Sequence, residues 1–122
     1  MKNTINWFEI PVTDFDRAKK FYETVMEIQL HDGKFGDWRM GSFPAFEGKV
    51  SGAIVSGKGY EPSEKGSLIY LNCNPDLSAF LLRVEAAGGK ITVPKTQISP
   101  EIGYWACVID TEGNRIAFHS QQ

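Results

Sequence analysis

The chain has no long apolar run, no basic block and few histidines or cysteines, and each absence removes a class of function. No stretch approaches the roughly 20 apolar residues that a membrane-spanning helix needs. The opening MKNTINWFEIPV reaches an acidic residue before any long apolar run, so it does not read as a secretory signal. Thirteen Lys and Arg stand against fifteen acids, a formal charge of −2, with the basic residues dispersed, so nucleic acid is not an expected partner. Cys73 and Cys107 each lie inside an apolar, strand-like run with no neighbouring histidine. They are expected to be reduced core thiols of a cytoplasmic protein rather than a disulfide or a nucleophile. No glycine-rich phosphate loop is present: Gly57 and Gly59 fall in a linker, and Gly88 and Gly89 at a helix end.

What is present is ordinary for a globular chain. At 122 residues the protein is expected to form one domain, residues 1–122, with a core of its own. From Ile5 to Val12 the residues alternate, with Phe8, Ile10 and Val12 on one face of a strand and Trp7, Glu9 and Pro11 on the other. Thr13 and Asp14 can cap the helix that follows. In that helix Phe15, Ala18, Phe21, Tyr22 and Val25 fall at helical spacing, and it should end near Met26. Three short strands are expected next: Ile28–His31, ended by the hairpin dipeptide Asp32-Gly33; Asp37–Ser42; and Val50–Ser56. His31 reads as a solvated turn residue.

The pattern then repeats more weakly. After an aperiodic stretch rich in glycine and charge, Ser67–Cys73 reads as a strand. Asn74 caps a helix with Pro75 at its first position, and Leu77, Phe80, Leu81 and Val84 form its apolar stripe. Gly88-Gly89 end it. Strands Lys90–Pro94, Gly103–Asp110 and Arg115–Ser120 complete the second half, the last two separated by a turn at Asp110–Asn114. The chain therefore divides into module one (1–57), a linker (58–66) and module two (67–122), each β-α-β-β-β, an internal duplication. The fold class is α+β.

With these units in place the chain resembles the vicinal-oxygen-chelate superfamily, which holds glyoxalase I, bleomycin-resistance proteins and extradiol dioxygenases. The resemblance is carried by FEIPVTDFDRAKKFYETV, by YLNCNPDLSAFLLRVEAAGGKI and by the closing DTEGNRIAFHS, and it covers essentially the whole chain. It implies two modules forming a curled mixed sheet around a cavity, completed by a second copy in a homodimer. It also implies a divalent metal in that cavity, bound from the first and last strands of each module.

The residues at those positions are not metal ligands. The first-strand positions hold Trp7 and Leu68, the last-strand position of module two holds Ala117, and Val50–Ser56 contains neither acid nor histidine. Tryptophan, leucine and alanine side chains offer a divalent ion no donor. The expectation is accordingly no cofactor. A divalent metal would need displaced ligands, with Glu9 and His119 the available pair. Against that, His119 at the end of the last strand also suits a half-exposed side chain bonded to nearby backbone.

Glu9 interrupts an apolar strand, so it needs a partner. It serves either as a general base or polar anchor for a ligand, or as one half of a salt bridge to Arg39 or Arg115. Trp7, Trp38, Phe46, Tyr70, Tyr104 and Trp105 lie on or beside strands and either line a pocket or fill it. Two functions follow. One is a protein that holds a small organic molecule in an apolar, aromatic cavity with Trp7, Glu9, Trp38, Tyr104 and His119. The other is a lyase or dioxygenase of the same superfamily using a metal on displaced ligands. A fold kept only for dimer formation is a third. One further position stands out: the resembling proteins place glycine just after the first helix, where this chain has Glu27. A left-handed backbone there would cost about 1 kcal/mol.

Overall fold

The computed structural model describes residues 3–45 and 48–122. Module one runs β1 (Trp7–Pro11), α1 (Phe15–Met26), β2 (His31–Phe35), β3 (Trp38–Ser42) and β4 (Ser51–Ser56). Module two runs β5 (Ile69–Asn72), α2 (Ser78–Val84), β6 (Lys90–Ser99), β7 (Gly103–Ile109) and β8 (Arg115–Ser120). Each forms a four-stranded mixed sheet, ordered β1-β4-β3-β2 and β5-β8-β7-β6, with the first and last strands of the module parallel. The internal repeat is thus a repeat of topology. It also fixes equivalent positions: Val12 N–H donates to Val55 O in module one, and Cys73 N–H donates to His119 O in module two. Neither sheet closes on itself.

One face of each sheet carries the core. Ile10 and Val12 of the first strand meet Phe15, Ala18, Phe21, Tyr22 and Val25 of α1, all buried. Leu71, Cys73, Leu77, Val84, Val108, Ile116 and Phe118 continue the same cluster from module two, and the two helices touch. Burial of this alternating set is the main term holding the modules together. Both cysteines are free and buried, and burial pushes the Cys73 thiol up to about 12, as suits an inert core thiol. Among the described residues no helix is long and apolar enough to cross a membrane.

Polar contacts lock one module to the other. The Glu112 side chain, fully shielded from solvent, accepts from Thr13 N (2.9 Å) and Asp14 N (2.7 Å) at the start of α1, and from Arg17 Nε (2.8 Å). Asp14 itself caps α1, accepting from Arg17 N at 3.1 Å. The buried Tyr22 hydroxyl donates to Asp110 at 2.5 Å, and Asn114 Nδ2 donates both to Asp110 and to Pro11 O. The turn at 110–114 is therefore the clasp that holds the first strand and helix against module two.

Four features of the sequence reading need correction. The hairpin turns at Gly36-Asp37, not at Asp32-Gly33. Gly36 takes φ 63° at the first central position, as a type II′ turn requires, while Asp32 lies inside β2 opposite Gly41 and accepts from Arg39 at 2.8 Å. His31 is exposed but begins β2 rather than sitting in the turn. Strand β6 passes through Pro94 to Ser99; it is an edge strand with register shifts flanking that proline, so the missing N–H interrupts no inner ladder. Helix α2 starts at Ser78, and Asn74 does not cap it: its side chain bonds Asn72 Oδ1 and Gln121 N instead. After α1, Glu27 does adopt the left-handed conformation, φ 54° and ψ 51°.

Candidate functional site

The face of each sheet turned away from the helices is where the alternation places the remaining aromatics. On module one the register sets Trp7, Glu9 and Pro11 beside Ser51, Ala53 and Val55, and Val55 beside Met40. Met40 and Trp38 stand in turn beside Gly33 and Phe35. Glu9, Phe35, Trp38, Met40, Val55 and Tyr60 line a pocket of about 330 Å³ on this face. Apolar walls with one carboxylate are the usual chemistry of a small-molecule pocket, and the volume falls at the lower end of their range.

Glu9 is held from both sides. Tyr60 Oη donates to Oε1 at 2.6 Å, and Trp7 Nε1 donates to Oε2 at 3.2 Å. The bond to Glu9, followed by desolvation, raises the Tyr60 pKa above 10, so the hydroxyl remains a donor at neutral pH. Neither expected salt bridge forms: Arg39 instead pairs with Asp32 (2.8 Å) and Asp16 (3.1 Å) across the face of the Phe15 ring, and Arg115 does not reach Glu9. Each Glu9 oxygen keeps acceptor capacity, because a carboxylate offers about four lone-pair sites.

Trp38 is fixed by its Nε1 donating to Lys58 O at 2.9 Å. Its ring lies so close over the connector that only glycine fits beneath it. A Cβ on Gly57 would fall 2.5 Å from Trp38 Cδ1, and the φ of 140° at Gly57 disfavours any other residue. Glu9 also borders a further hollow of about 280 Å³ between the modules, lined by Glu61, Ser63, Ile69, Asn114 and Arg115 among others.

Of the anticipated site residues, Trp7, Glu9 and Trp38 come together. Tyr104 does not join them. It lies on the helix-side face of β7, in register with Ser120 and packed on the core, with Lys95 Nζ 4.6 Å from its ring centroid. Its neighbour Trp105 faces the other way and stands 6.3 Å from Tyr70. His119 lies on the sheet of module two, where Tyr70, Asn72, Asn74, Ile98 and Ile102 line a shallower hollow with it. Its Nε2 is 2.6 Å from Ile102 O, so that nitrogen carries the proton. Phe46 lies outside the described residues.

Four lining residues escaped the sequence reading, among them Val55, which lay unremarked in a strand. Phe35 was hidden by the misplaced turn, Met40 by its chemical blandness, and Tyr60 by its place in a segment read as linker. The one signal for Tyr60 is an aromatic side chain amid glycine, proline and charge.

The positions at which the resemblance implies a divalent metal carry no metal-binding side chain. Trp7 has no donor for one, and module equivalence makes Leu68 its counterpart, likewise without one. The paired last-strand positions are Ala53 and Ala117, both fully buried. The two displaced candidates do not meet, since Glu9 stands on β1 and His119 on β8 of the other sheet. Among the described residues no three His, Cys, Asp or Glu side chains are arranged so as to hold a metal ion.

The sequence model of the Glyoxalase/Bleomycin resistance protein/Dioxygenase superfamily matches residues 4–118. A glyoxylase-like domain-containing protein of Didymella fabae is 30% identical over 113 residues, 90% of this chain and 88% of the relative. Among solved structures, a glyoxalase/bleomycin resistance protein from Albidiferax ferrireducens T118 superposes with a TM-score of 0.76 at 18% identity, covering 98% of this chain and all of the other. TnmS3, an antibiotic binding protein from Streptomyces sp. CB03234, superposes with a TM-score of 0.70 at 22% identity over 100% of this chain and 99% of its own. Glyoxalase I from Zea mays gives 0.69 at 18% identity over 95% of this chain, which spans only 45% of the maize chain.

Proposed function

Because this chain belongs to the glyoxalase/bleomycin resistance protein/dioxygenase superfamily, we propose that it is a binding protein of that fold. It holds a small organic molecule against the aromatic face of module one without a resident metal. The observation that carries this reading is the Glu9 carboxylate, oriented by Trp7 and Tyr60 at the edge of a pocket walled by Phe35, Trp38, Met40 and Val55. A carboxylate with two neutral donors and spare acceptor capacity is a ready anchor for a ligand hydrogen-bond donor. The structural likeness to an antibiotic binding protein agrees with it.

The reading extends to a homodimer. Trp7, Phe35 and Tyr70 are 44%, 70% and 52% exposed on the two open sheet faces, and a second copy would cover them. The buried free cysteines support a reducing, cytoplasmic setting.

Isothermal titration with a panel of uncharged and charged bicyclic aromatics tests the reading. Saturable binding that a Trp38→Ala substitution abolishes supports it. Binding unaffected by that substitution, or no binding across the panel, counts against it.

A further inference from the structure

Glu9 faces a pocket of aromatic rings rather than a basic side chain. Asp32, Asp76, Glu23, Glu27 and Glu112 each stand within salt-bridge range of a lysine or arginine. Glu9 has none among the described residues; its partners are an indole N–H and a phenol. Among the described residues no basic side chain lines its pocket either. The walls are instead open aromatic rings: Trp38 is 37% exposed and Phe35 more so, with the Tyr60 ring beside them. A negative carboxylate beside the negative faces of aromatic rings attracts a positive charge carried on an apolar body.

We propose that this pocket selects an organic cation: a molecule with an apolar body and a protonated amine or quaternary ammonium group. The inference rests on the reading that the module-one pocket binds small molecules. The apolar body lies against Phe35, Trp38, Met40 and Val55. The cationic group sits at Glu9, where Trp7 and Tyr60 hold the carboxylate in place and the rings shield the charge from water. Glu61 and Arg115 line the neighbouring hollow that Glu9 also borders, so polar substituents on the cationic end have both signs of charge within their path.

The test is a titration of the full chain with three probes sharing a 2-(1-naphthyl)ethyl body and ending in trimethylammonium, hydroxyl or carboxylate. The ammonium probe is expected to bind about tenfold more tightly than the alcohol, and the carboxylate more weakly than either. The preference should fade as salt is raised. In Glu9→Gln the ammonium probe should lose its advantage and bind no more tightly than the alcohol does to the same variant. Equal binding of all three probes to wild type overturns the cation inference and leaves the pocket as a binding site. Failure of all three to bind overturns the pocket reading with it. The comparison among probes is made on wild-type protein, so it stands even if the substituted chain does not fold.

Discussion

Tyr60 Oη and Glu9 Oε1 lie 2.6 Å apart although 51 positions separate them, so the connector between the modules is bonded to the first strand at the mouth of the pocket. Removing the hydroxyl leaves Glu9 with Trp7 alone. Tyr60→Phe should weaken the ammonium probe by about three- to tenfold, the value of one lost orienting hydrogen bond. The alcohol probe should lose less. Calorimetric titration of both probes checks this, with the melting temperature of the variant as the control for folding.

Gly57 offers a way to disturb the pocket without touching its ligand. A methyl group there meets the Trp38 ring and also strains a backbone at φ 140°. Gly57→Ala should displace the indole, break its bond to Lys58 O and reduce probe affinity by at least about tenfold. The affinity loss should be accompanied by a shift of the Trp38 indole N–H resonance in a heteronuclear NMR spectrum.

Glu112 links stability to pH. Burial acts to raise its pKa, but the hydrogen bond from Arg17, with those from Asp14 N, Thr111 and Thr13 N, outweighs it and holds the carboxyl below its ordinary 4.5. A depressed folded-state pKa means a stabilisation fully present above the unfolded value and lost as pH falls through the folded one. Denaturant midpoints should therefore drop below about pH 4.5 in wild type. In Glu112→Ala this part of the drop should be missing, and stability at pH 7 should be lower by about 1–3 kcal/mol, since two amides at the start of α1 lose their acceptor. An unchanged midpoint at pH 7 would show that the clasp between modules contributes nothing.

Glu27 is left-handed at φ 54°, and its exposed side chain makes a long contact with Arg83, 3.6 Å. Glu27→Gly should raise stability by up to about 1 kcal/mol, because the strain outweighs a weak surface pair. Chemical denaturation of both proteins measures it.

These positions also mark how far the sequence could be read. The strand faces were legible because Phe8, Ile10 and Val12 alternate with Trp7, Glu9 and Pro11, and an alternation of that kind has one physical solution when one face is buried. The first helix was legible from its apolar stripe and its Asp14 cap. The hairpin was misplaced because Asp32-Gly33 is a stronger local turn signal than Gly36-Asp37, yet the pairing of Phe35 with Trp38 and of Asp32 with Arg39 decided the register. Two of the six pocket-lining residues, Glu9 and Trp38, were visible in the sequence, together with Trp7, which bonds Glu9. Tyr60 was not, because its role comes from a contact across 51 residues that no local pattern encodes. Tyr104 and Trp105 show the cost of a one-residue choice of face: Tyr104 packs on the core, while Trp105 points outward beside Tyr70.

The central claim is that the ligand lies on module one beside Glu9, and the three tryptophans report on it directly. Trp7 Nε1 is bonded to Glu9, Trp38 Nε1 to Lys58 O at the pocket wall, and Trp105 stands on the other sheet. In a ¹H–¹⁵N spectrum each gives one assignable indole resonance. On titration with the naphthylethyl trimethylammonium probe, the Trp7 and Trp38 resonances should move together and saturate at one dissociation constant. If the probe binds while both of those resonances stay in place, the site lies elsewhere and the account is contradicted.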